Sequence, residues 1–224
     1  MRLTAAVSVL PVTSQQTGIT VCGHGKADAA PDQAQISAGV TVTASSAQSA
    51  RSQAAAAMSS VISALKSNVV ADQDIQTSYV SIQPQYSYQS GSAVQTGYTA
   101  TNNVTVTIRD VNATGKVLDA VTAAGGNNVI VNGITFSKGD PSQALAQAQQ
   151  SALDDAQRQA QAIASHAGVS LGAPVSITAG TCGEAPQQLQ FYGAANASAG
   201  TAVTPIQAGQ QEYAVEVQVV YAIR

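Results

Sequence analysis

Charge is scarce in this chain. Only 9% of its 224 residues are Asp, Glu, Lys or Arg, against roughly 25% in an average soluble protein. Nine basic and twelve acidic residues leave a net charge of −3. That excludes a nucleic-acid binder working through charge, because neutralising phosphates needs clustered Lys and Arg. It also excludes a polybasic membrane-surface anchor. Trp is absent and aromatics make up 4%, too few for base-stacking platforms. No apolar run approaches the ~18 residues of a membrane-spanning helix, so no transmembrane segment is expected. Nucleotide and nucleophile motifs are missing as well. There is no G-x-x-x-x-G-K-[ST], and no serine sits in G-x-S-x-G. Gly23-x-Gly25 lacks the third glycine of a dinucleotide loop and no helix follows it, so these read as turn or bulge glycines. Asp154 and Asp155 are adjacent on a helix and point apart, which makes no catalytic dyad. The expectation is a protein with no catalytic residues, no cofactor and no enzymatic activity.

Few charges do not mean disorder here. Hydrophobic residues are 45%, and disorder goes with low hydrophobicity and high net charge together. The length suits one large domain or two small lobes. The polar remainder is Gln, Ser, Thr and Asn, a surface that changes little with pH. This points to work outside the cytoplasm. The start fits: Met1-Arg2 precedes a short apolar stretch to Leu10, and Val12-Thr13-Ser14 offers small residues for cleavage. Residues 1–17 read as a signal-peptide remnant or, alternatively, a disordered arm. The expected location is periplasmic or secreted.

Two cysteines, Cys22 and Cys182, are 160 residues apart and form no C-x-x-C motif or zinc knuckle. In an oxidising compartment they could pair, which chain-entropy arithmetic values at roughly 5 kcal/mol. The alternative is two separate buried thiols acting as small hydrophobes. Cys22 and His24 are two apart on a strand and face the same way. They could form half of a metal site or a histidine-activated thiolate. A third ligand would come from His166 or an acid. The plainer reading is a small buried residue beside an ordinary histidine, since the pair lacks the ligand count that zinc needs.

Hydrophobic periodicity gives the order β-β-α-β-β-α-β-α-β-β. Strands are expected at 18–25, 34–44, 75–89, 98–109, 129–137, 169–181 and 213–223. The first helix follows Ser45 or Ser46 to about Ser67, with Ala47, Ala50, Ala54, Met58, Val61 and Leu65 on one stripe. A second, capped by Asn112, ends at Gly125-Gly126. The third starts at Asp140-Pro141, carries Leu145, Ala148, Ala152, Ala156, Ala160, Ile163 and Ala167 inward, and stops at Gly168. A polar hairpin is expected at 89–97, a bulge at Asn132-Gly133, and a mobile loop near 183–209. Mixed hairpins and helices favour an α+β fold, a twisted, largely antiparallel sheet with helices on one face.

In the strand at 75–89, Val80, Ile82, Pro84, Tyr86 and Tyr88 share a face. Pro84 suggests an edge or a bulge. Tyr79, Tyr86, Tyr88 and Tyr98 cluster around this ribbon. They are either a protein contact, with Tyr86 and Tyr88 as interface residues, or aromatic packing within one subunit. Exposed ribbon edges need cover, and a second subunit is a natural source.

Ile19-Thr20-Val21-Cys22-Gly23-His24-Gly25, followed by Ala30-Pro31-Asp32, resembles the opening of SIMPL-domain proteins. Asp74-Ile75-Gln76-Thr77 and Pro84-Gln85-Tyr86 are similar to their central signature. Gly97-Tyr98, Gly133-Ile134-Thr135-Phe136 and Thr204-Pro205-Ile206 continue the series to the last strand. The resemblance covers roughly residues 18–224 as one SIMPL-like domain. It implies an α+β fold, homo-oligomers, extracytoplasmic members described as oxidative-stress defence proteins or surface antigens, and no established catalytic residues. The Cys22–His24 pair departs from what that family leads one to expect. The resulting expectation is a non-enzymatic extracytoplasmic protein acting by self-assembly or partner binding. The alternatives are a small-ligand or metal-binding module at Cys22 and His24, or a thiol redox protein using Cys22 and Cys182.

Overall fold

The computed structural model describes residues 18–89, 92–180, 182 and 204–224. Its elements are β1 (Gly18–Ala29), β2 (Gln33–Ala44), α1 (Ala47–Ser67), β3 (Ile75–Gln89), β4 (Ser92–Ile108), α2 (Thr114–Gly125), β5 (Val129–Ser137), α3 (Ser142–Ala167), β6 (Leu171–Ala179) and β7 (Gln211–Ile223). The fold is α+β, in the expected order. The strands are shared between two sheets, β3-β4-β2-β5 and β1-β7-β6. The leader or arm at 1–17, and the expected loop as far as 203, lie outside the described residues. At 204–210 the chain has neither helix nor strand. Thr204 there donates its amide and its hydroxyl to Asp119, at 3.1 and 2.6 Å.

The chain forms two compact units. One comprises residues 28–141 and 204–212. Its central strand β2 pairs antiparallel with β4 on one side and β5 on the other. Strand alternation puts Ala34, Ile36, Ala38, Val40 and Val42 on a single buried face. Helix α1 covers it with Ala50, Ala54, Met58, Val61 and Leu65, joined by Val117 and Val121 of α2. The side chain of Ser46 caps α1 by accepting the Ser49 amide. On the other face the hydroxyl pairs Thr41–Thr101 and Thr43–Thr99 cross the strands.

Two local expectations are corrected in this unit. Asp110, not Asn112, provides the cap near α2: its carboxylate accepts the Asn112 amide and opens a short turn at Val111–Ala113. The hairpin is tighter than 89–97, because β4 already begins at Ser92. Gly97 belongs to that strand, where a Cβ would press on the Ala44 carbonyl oxygen at 2.7 Å. The bulge falls as expected: Ser37 pairs with Gly133 and Ala38 with Val131, leaving Asn132 extra.

The second unit comprises residues 18–27, 142–182 and 213–224. Strands β6 and β7 are antiparallel. Helix α3 buries Ala144, Ala148, Ala152, Ala156, Ala160 and Ala164, one every fourth residue. Leu145 and Ile163, expected on this stripe, are exposed. The reason lies in β1. Gly23 and Gly25 are neither turn nor bulge residues; they lie within the strand, against α3. A Cβ on Gly23 would overlap the Ala152 carbonyl oxygen, and one on Gly25 the Ala148 carbonyl oxygen. At so close an approach only alanine fits on the helix. Val21, Val217, Val219 and Tyr221 complete the core. Helix α3 ends as expected at Gly168, whose φ is +71°. Val169 donates its amide back to Ala164 there.

Among the described residues no helix is long and apolar enough to cross a membrane, which says nothing about a β-barrel.

Candidate functional site

Strand alternation decides what β1 presents. With Val21, Gly23 and Gly25 buried, Cys22 and His24 point to the opposite face. The structure joins Cys22 to Cys182 by a disulfide, with Cα atoms 6.1 Å apart. Glu216 of β7 completes the group. One of its carboxylate oxygens accepts the Cys182 amide at 3.0 Å, and the other lies 3.6 Å from His24 Nδ1. Helix α3 holds the β1 backbone from its other side. Gln159 Nε2 donates to the Cys22 carbonyl at 3.0 Å and to Asp155 at 2.7 Å, and Asp155 accepts the His24 amide at 3.1 Å. That amide, with help from Gln159 and Arg158, holds the Asp155 carboxyl below the usual carboxylate range.

Of the two third ligands expected for Cys22 and His24, an acid is present and His166 is not. His166 Nδ1 sits 2.7 Å from the Ala162 carbonyl at the end of α3. Asp155, dismissed as half of a catalytic dyad, instead anchors the β1 backbone, and the sequence gives no sign that Glu216 and Gln159 join this group. Glu216 was legible only as an outward residue of the last strand, and nothing in the sequence tells which strand lies beside it.

The ribbon is the second candidate. Strands β3 and β4 pair along their whole lengths, but β2 pairs with β4 only from Tyr98 onward. Residues 85–89 and 92–97 are therefore a two-stranded extension. Strand β3 is an edge, as Pro84 suggested. Ile82 pairs with Ala100, which is buried under α1, so Val80, Ile82, Pro84, Tyr86 and Tyr88 prolong the core face. They are nevertheless uncovered: Val80 is 61% exposed, Tyr86 53% and Tyr88 81%. The four-tyrosine cluster does not form. Tyr79 pairs with Asn103 on the opposite face, and Tyr98 packs against the core.

The remaining signature positions have structural settings. Asp74 receives two hydrogen bonds from Arg109, at 2.9 and 2.7 Å, which hold its carboxyl below the usual range. This pair borders a cleft of about 610 Å³ that also meets Asn68, Val69 and Lys116. Gln76, Thr77 and Pro84 are exposed on β3. Gly97 meets Ala44, Gly133 sits at the bulge, and the Phe136 carbonyl accepts from Gln211 at 2.7 Å. Val69, after the end of α1, has a φ of +66°. That is a strained setting for a β-branched side chain.

Residues 19–221 match the sequence model of the SIMPL family, described as "Protein of unknown function (DUF541)". The chain belongs to the SIMPL family. Among its SIMPL relatives is the "26 kDa periplasmic immunogenic protein" of Brucella melitensis biotype 1. It is 31% identical over 221 residues, which cover 95% of this chain and 87% of the relative. The "Uncharacterized protein YggE" of Escherichia coli strain K12 is 32% identical over 159 residues, 71% of this chain and 64% of that protein. The match covers residues of both compact units.

Proposed function

We propose that this SIMPL protein is a non-enzymatic extracytoplasmic protein that works by self-assembly through the outer part of β3. The observation that carries this reading is the uncovered strip of Val80, Ile82, Tyr86 and Tyr88. An apolar face that continues a core and then meets water is an unfinished interface, and an open edge strand invites a partner. A second copy of the chain is the occupant proposed. Pro84 has no amide hydrogen, so it interrupts any continuous strand-to-strand ladder along that edge. Contact through side chains is therefore favoured over strand addition, and Tyr is well suited to it. The extracytoplasmic location is supported by the word periplasmic in the name of the Brucella relative and by a disulfide, which persists in oxidising compartments. A role in envelope or oxidative-stress defence is the wider reading, drawn from the family resemblance.

Light scattering and native mass spectrometry of the purified protein test the assembly. A defined oligomer should appear, and the double variant Tyr86→Ser, Tyr88→Ser should shift it to monomer while the circular dichroism spectrum of the folded chain is retained, since both side chains are exposed in the single chain. A wild-type monomer at micromolar concentration, or an oligomer unaffected by the double variant, refutes the assignment. For the wider role, a deletion strain should be more sensitive to peroxide than its parent; equal survival removes that role.

A further inference from the structure

We propose that reduction of the Cys22–Cys182 disulfide uncovers a metal site for zinc or a similar divalent ion, built from Cys22, Cys182, His24 and Glu216. Cys22 Sγ, a ring nitrogen of His24 and a carboxylate oxygen of Glu216 all lie within 4.8 Å of one another. Cys182 Sγ is bonded to Cys22 Sγ and so belongs to the same cluster. Two thiolates, an imidazole and a carboxylate are a tetrahedral zinc donor set. At metal–ligand lengths of 2.0–2.3 Å, such donors stand about 3.3–3.8 Å apart around a tetrahedral ion. His24 Nδ1 and Glu216 are already 3.6 Å apart, no separation among Cys22, His24 and Glu216 needs to close by more than about an ångström, and the two sulfurs must part from their bonded distance.

The oxidised form cannot hold the ion, because disulfide sulfurs are not thiolates. That leaves His24 and Glu216, two donors where zinc takes four. The balance of the switch is simple. A dithiol reductant gives two electrons and two protons to the S–S bond, which breaks, and the reductant closes to its own disulfide. The ion then replaces the two thiol protons, which leave to solvent. Oxidation by disulfide exchange reverses both steps and releases the metal.

The surroundings suit the task. The His24 side chain is 60% exposed and Glu216 21% exposed, so an ion can reach them. The β1 backbone that carries Cys22 and His24 is fixed through Gln159 and Asp155, the outer support that metal ligands need. His24 and Glu216 also come from different strands, so the site exists only in the folded chain. A bare Cys-x-His segment of an unfolded chain would bind without Glu216.

Cobalt(II) is the probe, since it reports thiolate ligation by a near-ultraviolet charge-transfer band and tetrahedral geometry by visible bands. The full chain is titrated with cobalt before and after treatment with a dithiol, with circular dichroism confirming that the reduced protein stays folded. The reduced protein should bind one equivalent with both signatures, and the oxidised protein none. His24→Ala and Glu216→Gln, each shown to be folded when oxidised, should weaken binding at least tenfold after reduction. No binding by the folded reduced protein overturns the proposal. So does thiolate ligation that is indifferent to Glu216→Gln, or a reduced chain that is unfolded.

Discussion

Alanine at Gly25 should be costly, and the structure says by how much. A Cβ there would meet the Ala148 carbonyl oxygen and the Ala152 amide nitrogen, both of the α3 backbone. No side chain can rotate away, so the helix must lift off the strand. Overpacking of a tight interior costs about 1–3 kcal/mol, and a backbone obstacle belongs at the upper end. Removing glycine's freedom in the unfolded chain offsets about 0.4–1 kcal/mol of this. The net loss is on the order of 2 kcal/mol, or about 4–8 °C in melting temperature for a chain of this length. Thermal unfolding followed by circular dichroism is the assay. Adding Ala152→Gly should not restore stability, because the obstructing atoms are backbone. A Gly25→Ala variant that melts at or above the wild-type temperature would refute the close approach of α3 and β1.

Val69→Asn should stabilise the protein by roughly 1 kcal/mol, since Asn tolerates a left-handed backbone that costs other residues about 1–2 kcal/mol, and the Val69 side chain is 94% exposed; denaturant unfolding checks it, and a loss of stability would mean the valine is held by something outside the chain. Stability should also stay level from neutral pH to about pH 4.5 and fall only below about pH 4, near the unfolded aspartate value. Asp74, Asp155 and Asp32 all titrate below their ordinary range, through Arg109, the His24 amide and Lys138 respectively. Their stabilisation is therefore complete above the unfolded value and lost as the pH falls through the folded ones. Melting temperatures across that range decide it, and a decline centred above pH 5 would contradict the carboxylate assignments.

The element order was legible because it rests on local patterns. The α1 stripe repeats at spacings of three and four, β2 alternates cleanly, and Gly126 and Gly168 stop their helices as expected. What failed was non-local. Leu145 and Ile163 look like core residues on a helical wheel, but the distance between α3 and β1 is set by glycines more than a hundred residues away. The division into two sheets was equally hidden, because strand partners are chosen across the whole chain.

The same non-local contact governs the candidate site. Gly23 and Gly25 must face α3, for nothing larger fits there. Alternation along β1 then forces Cys22 and His24 onto the other face. Their partners Cys182 and Glu216 follow from the position of β7 next to β1. The sequence alone could show that Cys22 and His24 point the same way. It could not show that a carboxylate meets them, because Glu216 approaches from another strand. The small-residue contact on one face of β1 thus orients the reactive side chains on the other, and a shift of one residue in that strand would exchange the two.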